Sequence, residues 1–407
     1  SQTIAAIFYA GTQAYQGLRT GVEDGRDGLG TVFVFSAGNS SGYGDNTNYH
    51  NFQNAREVIA VAATNADGSV ASFSTPGASV LIGAYGVDLL TTDRHEKGLG
   101  LNTGGNYTNF TGTSAAAPVV SGVVALMLEA NPHLGYRDVQ KILAYSAWHP
   151  DNQDWKTNAA ANFNLGGLQF NDQTGFGVVD AYSAVRLAQS WTTQSTAINE
   201  VSASARKFGL MDAIPDGDGT SYTRTFSVDA NMLVEHVELG VDLRHTRLGD
   251  LVIELVSPNG TVSTLMNRPT VNAEQPFGLS GTDSGVPTHL LWDFSSVQFW
   301  GEQASGDWTI RIQDLRAEET GTLSSLSLRV YGERDSGNDV YVFTEEGFQS
   351  ATHRVLSDEA GTDTLNAAPM KHDMYVDLPK GIIAAEGVTY TISAWSVLEL
   401  SLIHISE

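Results

Sequence analysis

The sequence of 407 residues contains no cysteine, so disulfide bonds contribute nothing to its stability and hydrophobic cores must supply it. Basic residues are also scarce, since 22 lysines and arginines stand against 46 aspartates and glutamates, a formal net charge of −24. This excess of negative charge argues against nucleic acids and anionic membrane surfaces as partners. The length is sufficient for two or three domains with separate cores.

Long uninterrupted hydrophobic segments are missing as well. The uncharged stretch that follows residue 114 is broken by Pro118, Ser121 and Gly122, whereas a membrane-spanning helix needs about 20 predominantly apolar residues. We therefore expect the central helix of a globular domain at this position and no insertion into a membrane.

The most informative feature that is present is the string Gly-Thr-Ser-Ala-Ala-Ala-Pro at residues 112–118. Because proline is tolerated in the first turn of a helix, the pattern predicts a helix that begins beside Ser114. Free N–H groups and partial positive charge at a helix N-terminus favour negative charge that develops near this serine. The setting is typical of a nucleophile in acyl transfer. The alternative is a serine that only caps the helix.

A second informative segment lies upstream, where the apolar run Thr-Val-Phe-Val-Phe at residues 31–35 predicts a buried parallel strand. Ser-Ala-Gly-Asn follows at residues 36–39, and in this order the two segments resemble the subtilisin-like serine proteases, most closely their kexin-like branch. The resemblance implies that Ser114 is the nucleophile and that Asn39 donates to the oxyanion. It also implies that one wall of the pocket for the substrate side chain before the cut is formed by Ser36, Ala37 and Gly38.

The likeness continues through residues 45–49, 71–74, 128–140 and 175–181, so it covers about the first 190 residues. Taken alone, Asn39 is more typical of a turn residue with unusual backbone angles. Its place before Ser114 in the order of this family favours the oxyanion role.

The partners that a catalytic serine needs are not found before it. In this family the chain order is Asp, His, Ser, and only His50 and His95 precede Ser114. Both follow the turn at residues 36–39, and neither stands in the family's His-Gly-Thr. We expect a fragment that begins inside the catalytic domain, and we expect these 407 residues alone to be inactive. A true pseudoprotease is the alternative explanation.

From about residue 201 the sequence changes to short alternating strands separated by turns. Apolar residues alternate in residues 251–256, 309–313 and 326–331, which predicts a β-sandwich. Five short motifs between His245 and residue 332, such as Trp-Gly-Glu at 300–302 and Gly-Asp-Trp at 306–308, resemble the P domain of kexin-like convertases. The resemblance implies a jelly roll that packs against the catalytic domain. We interpret Trp300 and Trp308 as packing or domain-interface residues, with an exposed binding platform as the alternative.

The predicted fold class is therefore α/β, a partial subtilisin-like domain with a parallel sheet and flanking helices, followed by an all-β jelly-roll sandwich and a short β-rich tail. The predicted boundaries are 1–190 for the catalytic part, 191–200 for a linker, 201–334 for the P domain and 335–407 for the tail. The tail resembles, more weakly, the segment before calcium-binding repeats in secreted bacterial proteins.

The kexin-like branch cuts after paired basic residues and uses acidic pocket groups. The loop alignment puts Asp45 at an acidic, calcium-linked position, which makes it a candidate metal ligand. It puts His50 where the branch has a pocket aspartate and Thr75 where it has a glutamate. A preference for dibasic sites is therefore in doubt, and a broader preference is an equal alternative. His50 is a candidate substrate-binding residue or a surface loop histidine.

These features predict a secreted bacterial serine endopeptidase that acts on proteins or peptides through an acyl-enzyme. Calcium is the one cofactor that the resemblance implies, and no organic cofactor is expected. The expected partners are protein or peptide substrates, and the P domain is expected to contact the catalytic domain within the chain. The alternative function is a non-catalytic extracellular binding or adhesion protein, which the acidity, the β-sandwich and the absent catalytic partners would also suit.

Overall fold

The computed structural model describes residues 12–95, 100–102, 105–160, 167–217, 219–271, 288–350, 354–357, 361–393 and 401–403. Its first part mixes helices and strands in this order: α1 (Thr12–Asp24), β1 (Phe33–Ser36), β2 (Val58–Thr64), β3 (Val80–Tyr85), β4 (Leu89–Thr92), β5 (Tyr107–Phe110), α2 (Thr113–Ala130), α3 (Tyr136–Tyr145), β6 (Lys156–Thr157), β7 (Gln169–Phe170) and α4 (Ala181–Ser190).

A parallel sheet of order β1-β2-β3 forms the centre of this part. All seven residues of β2, Val-Ile-Ala-Val-Ala-Ala-Thr, are buried, because a central parallel strand is covered on both faces. The small alanines of this strand allow α2 to approach the sheet, and Val120 and Met127 of α2 join its core. The predicted parallel sheet with flanking helices is confirmed.

Helix α2 has the length and apolar composition of a membrane span. It packs instead against the sheet and α4 within one hydrophobic core, as predicted for a helix of a globular domain.

The second part is built mainly of strands, with one short 3-10 helix at Leu248–Asp250. Its strands are β8 (Val201–Lys207), β9 (Asp212–Ile214), β10 (Tyr222–Val228), β11 (Met232–His245), β12 (Leu251–Val256), β13 (Val262–Asn267), β14 (His289–Ser296), β15 (Gly306–Asp314) and β16 (Gly321–Arg334). One sheet has the order β10-β15-β12-β13 and the other β14-β11-β16-β8, with β9 also paired to β16. Apolar residues at alternate positions of β12, β15 and β16 face a shared core, which confirms the predicted sandwich.

The last part is more ordered than the predicted short tail. It contains β17 (Val340–Val342), α5 (Glu345–Ser350), β18 (Val355–Leu356), β19 (Thr364–Asn366), β20 (Tyr375–Asp377), β21 (Ile382–Ala385), β22 (Val388–Ile392) and β23 (Ser401–Ile403). Phe343, Phe348 and Tyr390 form the centre of a separate hydrophobic core. The unit therefore has its own packing and is not an extended segment.

The first two parts are joined by many direct contacts. Asn48 donates from Nδ2 to the carbonyl of Ser295 at 2.9 Å and accepts from the Ser295 N–H at 2.7 Å. The indole of Trp300 lies in the hydrophobic core of the first part, edge-on to Phe176 with ring centroids 6.3 Å apart, whereas Trp308 is buried in the sandwich core. The packing interpretation of both tryptophans is confirmed, and the exposed platform is wrong.

Charged side chains also cross this boundary. Arg137 of α3 donates from Nε to Glu235 of β11 at 2.5 Å, and Lys141 donates to Glu333 of β16 at 2.6 Å. Burial raises the pKa of Glu235, but the charges of Arg137 and Lys141 outweigh it and hold this pKa below its usual range. The buried boundary therefore combines apolar packing with compensated charge.

Candidate active site

The centre of the candidate site is the contact between the turn after β1 and the start of α2. The Asn39 side-chain oxygen Oδ1 accepts hydrogen bonds from the N–H and the hydroxyl of Thr113, both at 2.9 Å. Because a backbone N–H can only donate, the carbonyl end of Asn39 must face the helix. The Nδ2 amide therefore points away from Thr113 with its hydrogens available.

Ser114 lies next to this contact, at the second residue of α2, and it is exposed. The helix is preceded by Gly112 at the cap position, with φ of +147°. A Cβ atom on Gly112 would stand 3.5 Å from Nδ2 of Asn39, 3.7 Å from its Oδ1 and 3.7 Å from the Ser114 nitrogen, so the Asn39 side-chain amide lies close to the backbone at the start of α2. The interpretation of Ser114 as the helix cap is wrong, because Gly112 takes that position.

The turn that holds Asn39 is braced by two threonine hydroxyls that the sequence analysis did not assign to the site. Thr113 accepts from the Gly38 N–H at 3.2 Å. Thr75, which is buried, accepts from the Ser40 N–H at 3.0 Å, and its own N–H donates to the Gly38 carbonyl at 2.9 Å. The sequence contained a signal for the role of Thr113, because this residue stands in the Gly-Thr-Ser string at residues 112–114.

The predicted pocket wall continues directly from β1. Ser36 ends the strand, Ala37 is buried and donates to the Val61 carbonyl at 2.9 Å, and Gly38 adopts φ of +115°. That angle is in the region that favours glycine. It is Gly38, and not Asn39, that carries the unusual backbone angle of this turn.

His50 and Asp45 are hydrogen-bonded to each other. The His50 Nε2 atom lies 2.7 Å from Oδ1 of Asp45, which also accepts the Asn46 N–H at 2.9 Å. The loop that carries them is tied to the turn region, since Thr47 donates to the Pro76 carbonyl at 2.9 Å and Gln53 donates to the Ser36 carbonyl at 3.3 Å. The loop of the His50–Asp45 pair is therefore attached to the segment that forms the predicted pocket wall.

No histidine hydrogen-bonds to Ser114 in the part of the chain that the structure describes. His50 is engaged by Asp45, and His95 is exposed. The histidines after Ser114 that have carboxylate partners are bound at other places: His149 to Glu346, His245 to Asp314, His289 to Asp242 and His372 to Glu345. The described residues thus place Ser114 and Asn39 near each other in the chain fold without a histidine at Ser114.

The described residues around Asp45 do not form a calcium site. Across the described ranges, no three His, Asp or Glu side chains converge as a metal site would require. Oδ1 of Asp45 already accepts from two neighbours, whereas calcium takes six to eight oxygen ligands. The residues present do not fit the ion, and calcium binding stays a prediction.

Comparisons with known proteins identify two families along the chain. Residues 9–177 match the family model of the subtilase family, and residues 234–330 match that of the proprotein convertase P-domain. Human proprotein convertase subtilisin/kexin type 6 is 34% identical over 338 residues, covering 79% of this chain and 32% of that protein. Protease KEX1 of Kluyveromyces lactis is 30% identical over 356 residues, covering 85% of this chain and 44% of that protein.

Among solved structures, the Aeromonas sobria serine protease in complex with its chaperone superposes with a TM-score of 0.68 at 24% identity, covering 80% of this chain and 68% of that one. At this identity the match supports the fold. The chain spans between 16% and 44% of the length of the curated relatives compared with it, which is less than half in each case. With both family models and the kexin-like relatives in agreement, the chain belongs to the subtilase family, in its kexin-like branch, and carries a proprotein convertase P-domain.

Proposed function

We propose that this chain carries the nucleophile and the oxyanion hole of a serine endopeptidase. The observation that carries the proposal is the orientation of Asn39, whose Oδ1 is held by two hydrogen bonds from Thr113. The Nδ2 amide is thereby directed away from Thr113, near the start of the helix that carries Ser114, before any substrate binds. Preorganised donors of this kind stabilise the transition state because they need no rearrangement when charge develops.

The chemistry follows from the two groups. The Ser114 hydroxyl attacks the carbonyl carbon of a peptide bond, and its proton passes to a base that the described residues do not place there. The carbonyl oxygen becomes an oxyanion, which accepts hydrogen bonds from Nδ2 of Asn39 and from the free N–H at the start of α2. The amine then leaves with a proton, and water hydrolyses the ester on Ser114.

The base and its orienting carboxylate are the part that these residues lack. We expect the 407 residues alone to give no triad catalysis, because no histidine of the described chain reaches Ser114. The decisive test is labelling with a fluorophosphonate probe, which reacts with activated serines. The 407-residue chain should stay unlabelled, the intact gene product should be labelled, and its Ser114→Ala variant should not. An unlabelled intact product would favour the non-catalytic binding protein instead.

For the substrate, we propose a polypeptide that passes along Ser36, Ala37 and Gly38, with its side chain before the cut directed towards the His50–Asp45 pair. A carboxylate bonded to an imidazole at 2.7 Å attracts a lysine or arginine side chain less than a free acidic group does. We therefore propose a preference that is not restricted to basic residues. Matched peptide substrates that differ only in Arg or Leu at this position test it, and a kcat/KM ratio above about 10³ for Arg would contradict it.

We also propose action outside the cell, supported by the kexin-like resemblance, and calcium dependence as the resemblance implies. For calcium, the test is thermal unfolding with a chelator and with added calcium. An unchanged midpoint would remove calcium from the proposal without touching the role of Ser114.

A further inference from the structure

A cavity of about 660 Å³ lies between the first part of the chain and the outer face of the sheet β14-β11-β16-β8. Tyr15 and Arg19 of α1 form one wall, and residues of the P-domain form the other. Neither Ser114 nor Asn39 lines it. Its size is in the range of about 300–1,000 Å³ that holds small ligands, and boundaries between domains are common places for such sites.

The floor of this interdomain cavity follows from strand register. Arg206 pairs with Ser327, Ser327 with Gly240, and Gly240 with Asp293, so these four residues form one row across the sheet. A Cβ on Gly240 would collide with the Ser327 hydroxyl and lie 2.5 Å from Oδ1 of Asp293. Glycine at this position therefore keeps a depression open between a positive and a negative end of the row.

The charged side chains that line the cavity differ in how closely they are paired with opposite charges. Both carboxylates, Glu238 and Asp293, are engaged by Arg329 at 2.8 and 2.9 Å. Arg19 lies over the Tyr15 ring at 5.3 Å, and the one carboxylate with which it forms an ion pair among the described residues is Glu57, at 3.8 Å. Arg56 approaches the same carboxylate more closely, at 3.5 Å. Arg206 is exposed and forms no ion pair with any residue that the structure describes. The cavity thus has two poorly compensated guanidinium groups in a chain whose net charge is −24.

Apolar side chains stand at the rim beside these arginines. Phe208, which directly follows β8, is 70% exposed, and Leu291 of β14 is 69% exposed. Both line the cavity. Both side chains are therefore apolar surface available to a ligand in the cavity.

We propose that the interdomain cavity binds the carboxylate end of a peptide whose last residue is apolar. The carboxylate is held by Arg19 and Arg206, since a guanidinium presents paired N–H donors to a carboxylate. The apolar side chain covers Phe208 and Leu291. A free aromatic acid offers the same chemistry, so the two sources need to be distinguished by experiment. The proposal is independent of the catalytic role of Ser114.

The experiment is calorimetric titration of the 407-residue chain with N-acetyl-Ala-Ala-Phe, which has a free carboxylate, with its C-terminal amide, and with 3-phenylpropanoate. We expect the peptide acid to bind and the amide to bind at least about tenfold more weakly. Added salt should weaken binding of the acid, because the contact is ionic. Equal affinity for acid and amide would overturn the proposal, as would binding of 3-phenylpropanoate without binding of the peptide.

Substitutions of single residues test whether the peptide binds in the interdomain cavity. Arg206→Gln and Phe208→Ala alter exposed residues and should each weaken binding about tenfold without loss of folding. The matched control is Arg311→Gln, because Arg311 is a similarly exposed arginine of β15 in the opposite sheet. Ser114→Ala should leave binding unchanged, which separates this cavity from the candidate active site. Wild-type affinity in Arg206→Gln, or lost affinity in Ser114→Ala or Arg311→Gln, would contradict the assignment.

Discussion

Asn39 and Thr113 are separated by 73 intervening positions, yet Thr113 donates both its N–H and its hydroxyl to the Asn39 side-chain oxygen at 2.9 Å. The same hydroxyl accepts the Gly38 N–H at 3.2 Å. One threonine therefore fixes the rotamer of the asparagine, the turn that carries it and the start of the helix that carries Ser114. Four predictions follow from this contact and from the buried boundary between the two parts.

The first concerns the asparagine itself. In the gene product that hydrolyses peptides, Asn39→Ala should lower kcat by about 10²–10³, the scale known for loss of one oxyanion donor in a subtilisin. KM should change little, because the donor acts mainly on the transition state. Steady-state kinetics measure both, and Ser41→Ala on the same loop is a control expected to keep full activity. An unchanged kcat in Asn39→Ala would remove the oxyanion assignment.

The second concerns the charged contact across the domain boundary. Glu235→Gln should destabilise the chain by about 3 kcal/mol or more, because Arg137 would remain buried without its carboxylate partner and Lys141 would keep only Glu333. Denaturant unfolding followed by circular dichroism gives the free energy. In the control, Glu254→Gln affects an exposed pair with Arg311 at 3.8 Å and should cost less than about 0.5 kcal/mol. Equal losses of unfolding free energy in the two variants would show that burial of the ion pair does not determine its contribution to stability.

The third concerns His236, which is buried beside Glu235. Burial, assisted by the charge of Arg56, lowers the pKa of His236 to about 3 from its usual value of 6.5. Between these values the unfolded chain binds a proton that the folded chain does not, so this group makes stability fall as pH falls. The wild type should lose up to about 1.4 kcal/mol per pH unit below pH 6.5 relative to His236→Leu.

The measurement is denaturant unfolding of both proteins between pH 7 and pH 4, because the difference between them cancels the contributions of other groups. Parallel curves for the wild type and His236→Leu would mean that His236 is protonated as readily in the folded protein as in the unfolded one.

The fourth concerns Trp300, whose indole lies in the core of the first part although its chain position belongs to the P-domain. Trp300→Ala should cost about 3–5 kcal/mol and loosen the boundary, so that limited proteolysis first releases an intact P-domain. Trp308→Ala removes the same volume from the sandwich core. This variant should instead make the P-domain itself sensitive to proteolysis. Identical digestion patterns would contradict the separate roles of the two residues.

Much of the architecture could be predicted because local periodicity reflects burial. Leu251, Ile253 and Leu255 alternate in the sequence and are all buried in the sandwich core. The helix after Ser114 followed from the glycine, the proline and the uncharged stretch, and it spans residues 113–130 as α2. The packed C-terminal unit was underestimated, because its parallel pairs β17-β19-β23 join segments that are distant in the chain, and such pairing has no local signal.

The sequence alone determined which residues are candidates: a serine at a helix start, an asparagine after a buried strand, and a histidine where the branch has an acid. Only the tertiary structure decided how they are used. It turned the side-chain oxygen of Asn39 towards Thr113, paired His50 with Asp45, and put the unusual backbone angle on Gly38. The physical reason is that residue type sets what a group can donate or accept, whereas its direction and its partner depend on segments brought together by packing.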